Sequence, residues 1–309
     1  MLFTQKLQGA GKLTDLHFTL MQVGSRKIYE GDFFPRWQVL APHFTVYGFE
    51  ADPTACAEAN QAAAGLPWHE QHFPYAIAGQ TGAATLYLTH FRDCSSLYRP
   101  NLAIAQRFGM DSWLQVEQEL PVTTTTLAAV CRQHQLRSPD VLRVDVQGAE
   151  REVLRGAAAI LPHVLAIEVE VEFLPLYQGQ PLFEDVDCFL RSQGFTLWDL
   201  RLQKHRRVAA AVYSTATQGQ LVWAEALYFR DPLATPPTWQ GDRRQHLKLA
   251  CIAEAFDYPD FTVELLSHLT FTSADDPATN LAALLTETLR SLAGDQPLAL
   301  LDRLAPYHP

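Results

Sequence analysis

The chain has 309 residues, 48% of them hydrophobic, and a formal net charge of −10. This length is sufficient for one large domain, or for a domain with an appended unit. The acidic balance gives no overall field that would attract nucleic acid or an anionic membrane, so neither class of partner is expected.

The N-terminus and the cysteines indicate the compartment. Residues 1–6 have no apolar core flanked by basic residues, so no signal peptide is expected. No apolar run approaches the ~18–20 residues that a membrane-spanning helix requires. The five cysteines are widely spaced and form no Cys-x-x-Cys pair. We therefore expect reduced thiols, a cytoplasmic protein and no zinc site.

The first part of the chain alternates apolar runs with helical patterns. Residues 1–15 are polar and are expected to form a loosely held arm. The runs at 16–23 and 45–50 predict the first two strands, and the second run ends in an acid. Asp52 and Pro53 then predict a helix start, because Asp caps a helix and Pro suits its first position. Further strands are predicted at 73–78, 85–88 and 121–126, the last leading through a threonine cap into a helix over 127–135.

The stretch 141–150 begins with a short run rich in Val and Leu, which is typical of a strand buried on both faces of a parallel sheet. Asp145 interrupts this run near its end, and Gly148 follows before a helical pattern begins. Because ligands of an open α/β sheet bind at the carboxyl ends of its strands, Asp145 is expected to face the ligand crevice. The alternative is that Asp145 caps the turn or pairs with a nearby cation.

The rest of the chain completes the sheet and then changes character. The predicted elements are a helix over 150–161, a strand over 164–173, a helix over 182–193, and strands over 195–200 and 221–229 joined by a long loop that holds residues 204–207. After residue 230 the composition shifts to a proline-containing linker and then to amphipathic helices. The predicted divisions are an arm (1–15), an α/β domain (16–230) and a helical C-terminal extension (231–309).

Four sequence blocks, in the expected order, resemble those of the FkbM-type methyltransferases. Residues 145–150, Asp-Val-Gln-Gly-Ala-Glu, are similar to the family's Asp-Val-Glu-Gly-Ala-Glu, and the similarity continues through 153–157. The other three similar blocks are 48–53, 94–97 and 167–183, the last through its segments 167–169 and 175–183, so the resemblance covers roughly residues 16–230. It implies a doubly wound α/β fold, with a seven-stranded Rossmann-like methyltransferase sheet whose last strand is inserted antiparallel. It also implies that S-adenosyl-L-methionine binds across the carboxyl ends of the first strands.

The resemblance implies cofactor-binding residues at the ends of the first two strands. Glu50 would accept both ribose hydroxyls, and the alternative is a surface acid that complements a helix N-terminus. Gly24 and Ser25 would lie near the methionine portion, although Gly24 could instead mark only a tight turn. This turn has one glycine, and Gln22 stands where the family more often has an acid, but an amide still forms hydrogen bonds.

Two further pairs are cofactor-binding candidates, each with a structural alternative. Ala76 and Ile77 lie where the family places the adenine ring, and apolar side chains suit a flat ligand, but they could equally belong to the core. Ser95 and Ser96 match the family's Ser-Ser-Leu block and could hold the cofactor's carboxylate or the substrate. The alternative for both serines is that they stabilise a turn.

Asp145, Glu168 and His205 are the catalytic candidates. Asp145 could position the methyl group or receive a proton, and Glu168 is among the acids nearest to the predicted crevice. His205, in the loop opposite the crevice, is a candidate base. Alternate residues of a strand share a face, so Glu168 should point with the other acids of its strand into an open cleft or towards the 204–207 loop. A divalent metal held by Asp145 and Glu168 is only weakly supported, and no metal is predicted.

The expected function is S-adenosylmethionine-dependent O-methyl transfer to a hydroxyl of a sugar, glycan or polyketide-like metabolite. The alternative is a non-catalytic binding or scaffolding protein that kept the fold, which the glycine-poor first turn would suit. A nicotinamide-dependent oxidoreductase is disfavoured, because no Gly-x-Gly-x-x-Gly follows the first strand. The sequence leaves open the acceptor and the oligomeric state, a homodimer included.

Overall fold

The structure is a computed structural model that describes residues 1–26, 34–41, 43–209, 212, 214–237, 239–272, 280–293 and 298–308. Lys27, the last residue of the predicted first turn (24–27), lies outside the described residues. The chain divides into two compact units. The sheet unit comprises Thr19–Tyr29 and Thr45–Arg230, and the helical unit comprises Met1–Phe18, Glu30–Phe44 and Asp231–Pro309. The predicted boundaries at residues 15 and 230 stay predictions.

A seven-stranded mixed sheet forms the centre of the sheet unit. The strands that the structure describes are numbered in chain order: β1 (Phe18–Val23), β2 (Phe44–Phe49), β3 (His69–Phe73), β4 (Ala76–Ile77), β5 (Gly82–Thr89), β6 (Val116–Thr125), β7 (Val141–Val144), β8 (Ala166–Glu172), β9 (Thr196–His205) and β10 (Gln220–Phe229). The strand order is β3-β2-β1-β7-β8-β10-β9. β7 is parallel to β1 and β8, whereas β10 is antiparallel to β8 and β9. The predicted doubly wound sheet with its last strand inserted antiparallel is confirmed.

The predicted third strand over 73–78 is wrong in its extent. β3 ends at Phe73, and Ala76–Ile77 belong instead to a second sheet of order β4-β6-β5. In that sheet Ala76 and Ile77 pair with Thr124 and Thr125. The physical reason for the break is Pro74, which has no backbone N–H to donate to a continuing strand.

The helices of the sheet unit are α3 (Pro53–Ala62), α4 (Leu102–Ala105), α5 (Asp111–Leu114), α6 (Leu127–Gln133), α7 (Glu150–Gly156) and α8 (Phe183–Ser192). Both predicted caps are confirmed, because the Asp52 side chain accepts from Thr54 N and the Thr126 side chain accepts from Ala129 N. α7 is shorter than the predicted 150–161. It ends at Gly156, whose backbone lies so close to β4 that a Cβ atom there would be 2.3 Å from the Ala78 carbonyl oxygen.

The strand β9 extends further than the predicted 195–200. Its pairing with β10 continues to the His205–Gln220 pair, so Lys204 and His205 lie in the strand rather than in the loop. The exposed half of β9 is rich in Arg, Gln and Lys and has little apolar alternation. Its strand conformation therefore depends on backbone hydrogen bonds to β10, which the sequence pattern does not show.

The order of the strands reverses at β1. From β1 the chain proceeds to β2 and β3 on one side, and it later fills the other side with β7 and β8. Val23 at the end of β1 is in register with Val144 at the end of β7. An open α/β sheet forms its ligand crevice at such a switch point, outside the carboxyl ends of the strands. The crevice edge of the sheet is therefore at the ends of β2, β1 and β7.

The helical unit contains α1 (Leu2–Gly9), α2 (Phe34–Trp37), α9 (Arg243–Ala255), α10 (Pro259–Thr272), α11 (Ala282–Ala293) and α12 (Ala299–Leu304). α1 is a helix where the sequence suggested an arm. The buried Glu254 carboxylate of α9 accepts hydrogen bonds from Phe3 N at 2.8 Å, Thr4 N at 2.8 Å and Thr4 Oγ1 at 2.7 Å. This side chain therefore caps α1 from a helix about 250 residues away in the sequence.

Within the part of the chain that the structure describes, no helix combines the length and the apolar character that crossing a membrane requires.

We predict that Glu254→Ala frees the N-terminus of α1. Two buried N–H groups and a hydroxyl lose their acceptor, which should lower the free energy of unfolding by about 2 kcal/mol or more. Urea denaturation measures this loss, and hydrogen exchange should show the amides of Phe3 and Thr4 losing protection. The exposed Glu264→Ala is the matched control. Unchanged exchange at Phe3 and Thr4 in Glu254→Ala would contradict the cap.

Candidate active site

The turn after β1 brings three strand ends together. Gly24 has φ +80° and donates its N–H to the Phe49 carbonyl oxygen at 2.9 Å, and the Asp145 N–H bonds to the Val23 carbonyl oxygen at 3.0 Å. A Cβ atom at Gly24 would lie 1.7 Å from the carbonyl oxygen of Asp145. Only glycine fits here, for reasons of conformation and of space.

The side chains of Gln22 and Ser25, on either side of Gly24, form hydrogen bonds within the protein. Gln22 Nε2 donates to the Gly24 carbonyl oxygen at 3.3 Å. Ser25 is fully buried, and its Oγ lies 2.8 Å from Nδ1 of His72, a residue of β3. The Ser25 hydroxyl is therefore bound to β3, and the backbone of the turn is the part that a crevice ligand could contact.

Glu50 follows β2 and is 8% exposed. Its Oε1 accepts the Asp52 N–H at 2.9 Å, and Arg26 forms an ion pair of 2.7 Å with Asp52. Burial raises the pKa of Glu50, while the Asp52 N–H and the Arg26 charge act in the opposite direction. The carboxylate is thus held in a fixed position at the crevice edge, where a hydroxyl donor would stabilise its ionised form.

Asp145 follows β7 and keeps 28% of its side chain exposed. Its Oδ1 accepts from Gln147 Nε2 at 2.9 Å. The Arg143 guanidinium lies 3.9 Å from Oδ2, at the limit of an ion pair. Asp145 is therefore a partly accessible carboxylate whose orientation is set by an amide on one side and a cation on the other.

Gln147 connects the groups around Asp145. Its Nε2 donates to Asp145 and to Glu170, its Oε1 accepts from Tyr177 Oη at 2.9 Å, and its carbonyl accepts from Ser96 Oγ at 2.6 Å. Its backbone has φ +60°, a conformation that residues other than glycine rarely adopt. The sequence reasoning missed this residue, although the signal was present: Gln stands where the family's block has Glu. A glutamate could not donate to these two carboxylates.

The two serines of the Ser-Ser-Leu block have partners within the protein. Ser96 is 1% exposed, donates to Gln147 and accepts from Tyr98 N at 2.9 Å. Ser95 Oγ accepts from Thr89 N at 3.2 Å. These contacts agree with the alternative in which both serines stabilise a turn. Ser96 also holds the loop that contains Gln147 through its hydrogen bond to that residue.

Ala76 and Ile77 lie in β4, where they are 5% and 3% exposed. Ile77 belongs to the apolar core that also contains Leu127 and Val153. Both residues are therefore buried, as the alternative of a core role expects. A contact with adenine stays a prediction.

Glu168 is neutralised by arginines. It is 4% exposed, accepts a hydrogen bond from Arg201 of β9, and lies 3.3 Å from Arg143 Nε. Burial alone would lower the pKa of Arg143, but Asp145, Glu168 and other nearby carboxylates raise it above its ordinary value. The sequence suggested an open cleft or the 204–207 loop for this face of the strand. The open cleft is wrong for Glu168, because this carboxylate is buried against Arg143 of β7 and Arg201 of β9. The sequence pattern does not show that these two arginines face it.

A cluster of three glutamates lies beyond Glu168. The carboxylates of Glu150, Glu170 and Glu172 have oxygen atoms within 4.8 Å of one another. Glu150 also accepts the N–H groups of Val146 and Gly148, each at 2.9 Å. Burial, and then the neighbouring carboxylates, raise the pKa values of Glu170 and Glu172 well above the ordinary value. Protons held in this cluster offset the repulsion of three acids in one place.

His205 is not brought together with Asp145. Its ring stacks on Trp223 of β10, with centroids 4.6 Å apart, and burial lowers its pKa. β9 is the edge strand, three steps from β7, so the two strands lie about 14 Å apart at ~4.8 Å per step. The structure supports Asp145 rather than His205 as the group at the crevice.

We predict that stability falls as the pH rises through the raised pKa of Glu172. The folded state holds a proton that the unfolded chain releases above its own pKa of about 4.3, so folding is favoured at low pH and loses this contribution as the pH increases. Glu172→Gln should flatten the decline by up to about 1.4 kcal/mol per pH unit. Urea denaturation from pH 5 to pH 8 measures the slope. The control is the exposed Glu58→Gln, and parallel slopes for Glu172→Gln and wild type would refute the assignment.

A curated relative and two solved structures are similar to this chain. The 2-O-methyltransferase NoeI of Sinorhizobium fredii is 26% identical over 154 residues, which is 49% of this chain and 63% of that protein, so the chain spans less than two thirds of it. Sp1610 of Streptococcus pneumoniae, described as a candidate tRNA (m1A22) methyltransferase, is 11% identical with a TM-score of 0.34, over 98% of this chain and 93% of that one. A TehB-like SAM-dependent methyltransferase of Corynebacterium glutamicum is 9% identical with a TM-score of 0.29, over 75% and 89%.

The fold assignment rests on the strand order rather than on these two structures, and the family assignment rests on the sequence. The family described as the methyltransferase FkbM domain matches residues 22–197, which is more than half of the chain. The match includes the crevice edge from Gln22 through Glu50 to Asp145 and Glu172. The chain belongs to the FkbM methyltransferase family.

Proposed function

We propose that this methyltransferase uses S-adenosyl-L-methionine and transfers the methyl group to a hydroxyl of a sugar, glycan or polyketide-like metabolite. The observation that carries the proposal is the arrangement of Glu50, Gly24 and Asp145 at the ends of three adjacent strands, β2, β1 and β7. One acid, one close backbone turn and a second acid therefore follow one another along the crevice edge.

The residues at this edge suit the proposed cofactor. A carboxylate such as that of Glu50 can accept both hydroxyls of a ribose. The bend at Gly24 presents backbone beside it for the methionine portion, and the acids along the edge suit a ligand that carries a positive charge. When bound, S-adenosyl-L-methionine supplies a methyl group activated by a sulfonium.

The chain's own residues would position and deprotonate the acceptor. An acceptor hydroxyl that received the cofactor's methyl group would have to lose its proton, because its oxygen would otherwise carry a positive charge. Asp145, oriented by Gln147, is a partly exposed carboxylate that can accept this proton. Because alignment of the reacting groups supplies much of the rate of such a transfer, the fixed orientation of the Asp145 carboxylate matters as much as its basicity.

One feature supports a hydroxyl as the acceptor, and a second suits a saccharide. The relative NoeI is named as a 2-O-methyltransferase. The segment after β5 also exposes Phe91, which packs against Trp113 of α5 with centroids 6.0 Å apart, and the two side chains are 41% and 43% exposed. This segment is joined to the crevice by Tyr177 Oη, which lies 3.0 Å from the Cys94 carbonyl oxygen and 2.9 Å from Oε1 of Gln147, the partner of Asp145. Exposed aromatic faces of this kind suit the apolar face of a sugar ring.

We predict that S-adenosylhomocysteine binds the wild-type protein and that Glu50→Ala weakens binding by tenfold or more. The expected loss corresponds to about one or two hydrogen bonds to a charged group. Isothermal titration calorimetry measures both dissociation constants. Glu58→Ala, an exposed acid of α3, is the matched control and should bind like wild type. No binding to wild type would reject the cofactor and favour the binding or scaffolding alternative.

We predict that Asp145→Asn lowers methyl transfer by about 10²–10⁴-fold while leaving S-adenosylhomocysteine affinity within a few-fold of wild type. Asparagine retains an oxygen that can accept from Gln147 but cannot take up the acceptor's proton. The assay is release of S-adenosylhomocysteine from S-adenosyl-L-methionine with a panel of methyl glycosides, each paired with its deoxy analogue. Equal turnover by Asp145→Asn and wild type would remove Asp145 from proton transfer.

A further inference from the structure

A buried chain of polar side chains lies behind the first turn. Ser25 Oγ is 2.8 Å from His72 Nδ1, His72 Nε2 is 2.8 Å from Glu70 Oε1, and Glu70 Oε2 accepts from Trp68 Nε1 at 2.9 Å. Ser25 is 0% exposed, His72 is 4% exposed, and the Glu70 side chain is 1% exposed. These groups are removed from water and bonded to one another, so each one fixes the next.

The surrounding residues are shaped to admit this chain. A Cβ atom at Gly48 would lie 2.0 Å from His72 Nδ1 and 2.6 Å from Ser25 Oγ, so the imidazole reaches Ser25 only because β2 has a glycine there. Asn60 of α3 holds the His72 backbone on both sides, donating to its carbonyl oxygen and accepting from its N–H, each at 2.9 Å. The position of the ring is therefore set by neighbouring β2 and α3.

The direction of the hydrogen bonds follows from the partners. An ionised Glu70 can only accept, which places a proton on His72 Nε2. In the neutral ring Nδ1 is then the acceptor, and the Ser25 hydroxyl donates to it. Serine, histidine and glutamate are the residue types of a nucleophilic triad, but a fully buried Ser25 Oγ cannot meet a substrate. These hydrogen bonds therefore hold the side chains in place and do not prepare Ser25 for nucleophilic attack.

We propose that His72 is the positioning residue of the first turn: it holds Ser25, and through Ser25 it holds the Gly24–Ser25 backbone in the shape that receives the methionine portion of the cofactor. The backbone contact of Ser25 to Phe49 is long, at 3.2 Å, so the side-chain bond to His72 is the shorter attachment of this residue. In a turn with one glycine, this bond limits where the backbone can move. The inference rests on the proposed function.

Two substitutions at His72 separate its two hydrogen bonds. Asparagine places its amide where Nδ1 lies and keeps the bond to Ser25, whereas glutamine places its amide near Nε2 and keeps the bond to Glu70. His72→Gln and Ser25→Ala should each weaken S-adenosylhomocysteine binding about tenfold, the effect of one lost buried hydrogen bond. His72→Asn should bind S-adenosylhomocysteine within about threefold of wild type, because it keeps the hydrogen bond to Ser25.

Stability should change in the opposite order. His72→Asn removes the hydrogen-bond donor that faces the buried Glu70 and should have the lower unfolding midpoint, whereas the amide of His72→Gln still donates to Glu70. A merely structural role would make affinity follow stability. Combining Ser25→Ala with His72→Gln should add no further loss of affinity, because both changes remove the same bond.

The control is His246→Gln in the helical unit. His246 is 7% exposed and its Nδ1 is 2.8 Å from the Asp242 carbonyl oxygen, so it matches His72 in burial and residue type. This variant should lose stability without losing affinity. Calorimetry and urea denaturation of the full chain provide both readouts.

The outcomes distinguish this inference from the proposed function. Absence of S-adenosylhomocysteine binding to wild type would reject the proposed function, and the inference with it. Binding to wild type with unchanged affinity in Ser25→Ala and His72→Gln would overturn the inference alone. So would affinities that follow the unfolding midpoints across all of the variants.

Discussion

The close approach of two backbones, at Gly24 and Asp145, is the constraint on which the candidate site depends. There is no room for a Cβ atom between the turn after β1 and the end of β7, and Gly24 also has a positive φ. Because the strand order reverses here, the ends of β2 and β7 lie on the two sides of this turn. Glu50 and Asp145 thereby come to the same edge although they are 95 positions apart in the sequence. Any residue other than glycine would push β1 and β7 apart and open this edge.

The crevice edge accommodates several carboxyl groups close together. Arg143 and Arg201 neutralise Glu168, protons offset the repulsion within the Glu150, Glu170 and Glu172 cluster, and the amide of Gln147 donates to two carboxylates at once. These three means leave Asp145 oriented and partly exposed. The physical division is between acids that are compensated inside the protein and two acids, Glu50 and Asp145, that are held at the crevice edge.

Much of the fold could be predicted because its signals are local. Asp52 and Thr126 cap their helices as their positions suggested, and the Val- and Leu-rich run before Asp145 is the central strand β7. The site was predictable only in outline. Ser25 binds His72 across 47 positions and Glu168 binds Arg201 across 33, and no periodicity records such partners. The distance of His205 from Asp145 is likewise decided by strand order, which the sequence does not show, and a catalytic role for His205 stays a prediction. The break at Pro74, by contrast, follows from a local signal, because proline has no N–H to donate to a continuing strand.

The central claim is that the ligand crevice lies at the ends of β2, β1 and β7. A crystal structure of the complex with S-adenosylhomocysteine tests it most directly. The account predicts both ribose hydroxyls within hydrogen-bond distance of the Glu50 carboxylate, with the homocysteine portion against the Gly24–Ser25 backbone and its sulfur on the Asp145 side. A ligand bound away from these three strand ends, or a ribose with no contact to Glu50, would contradict it.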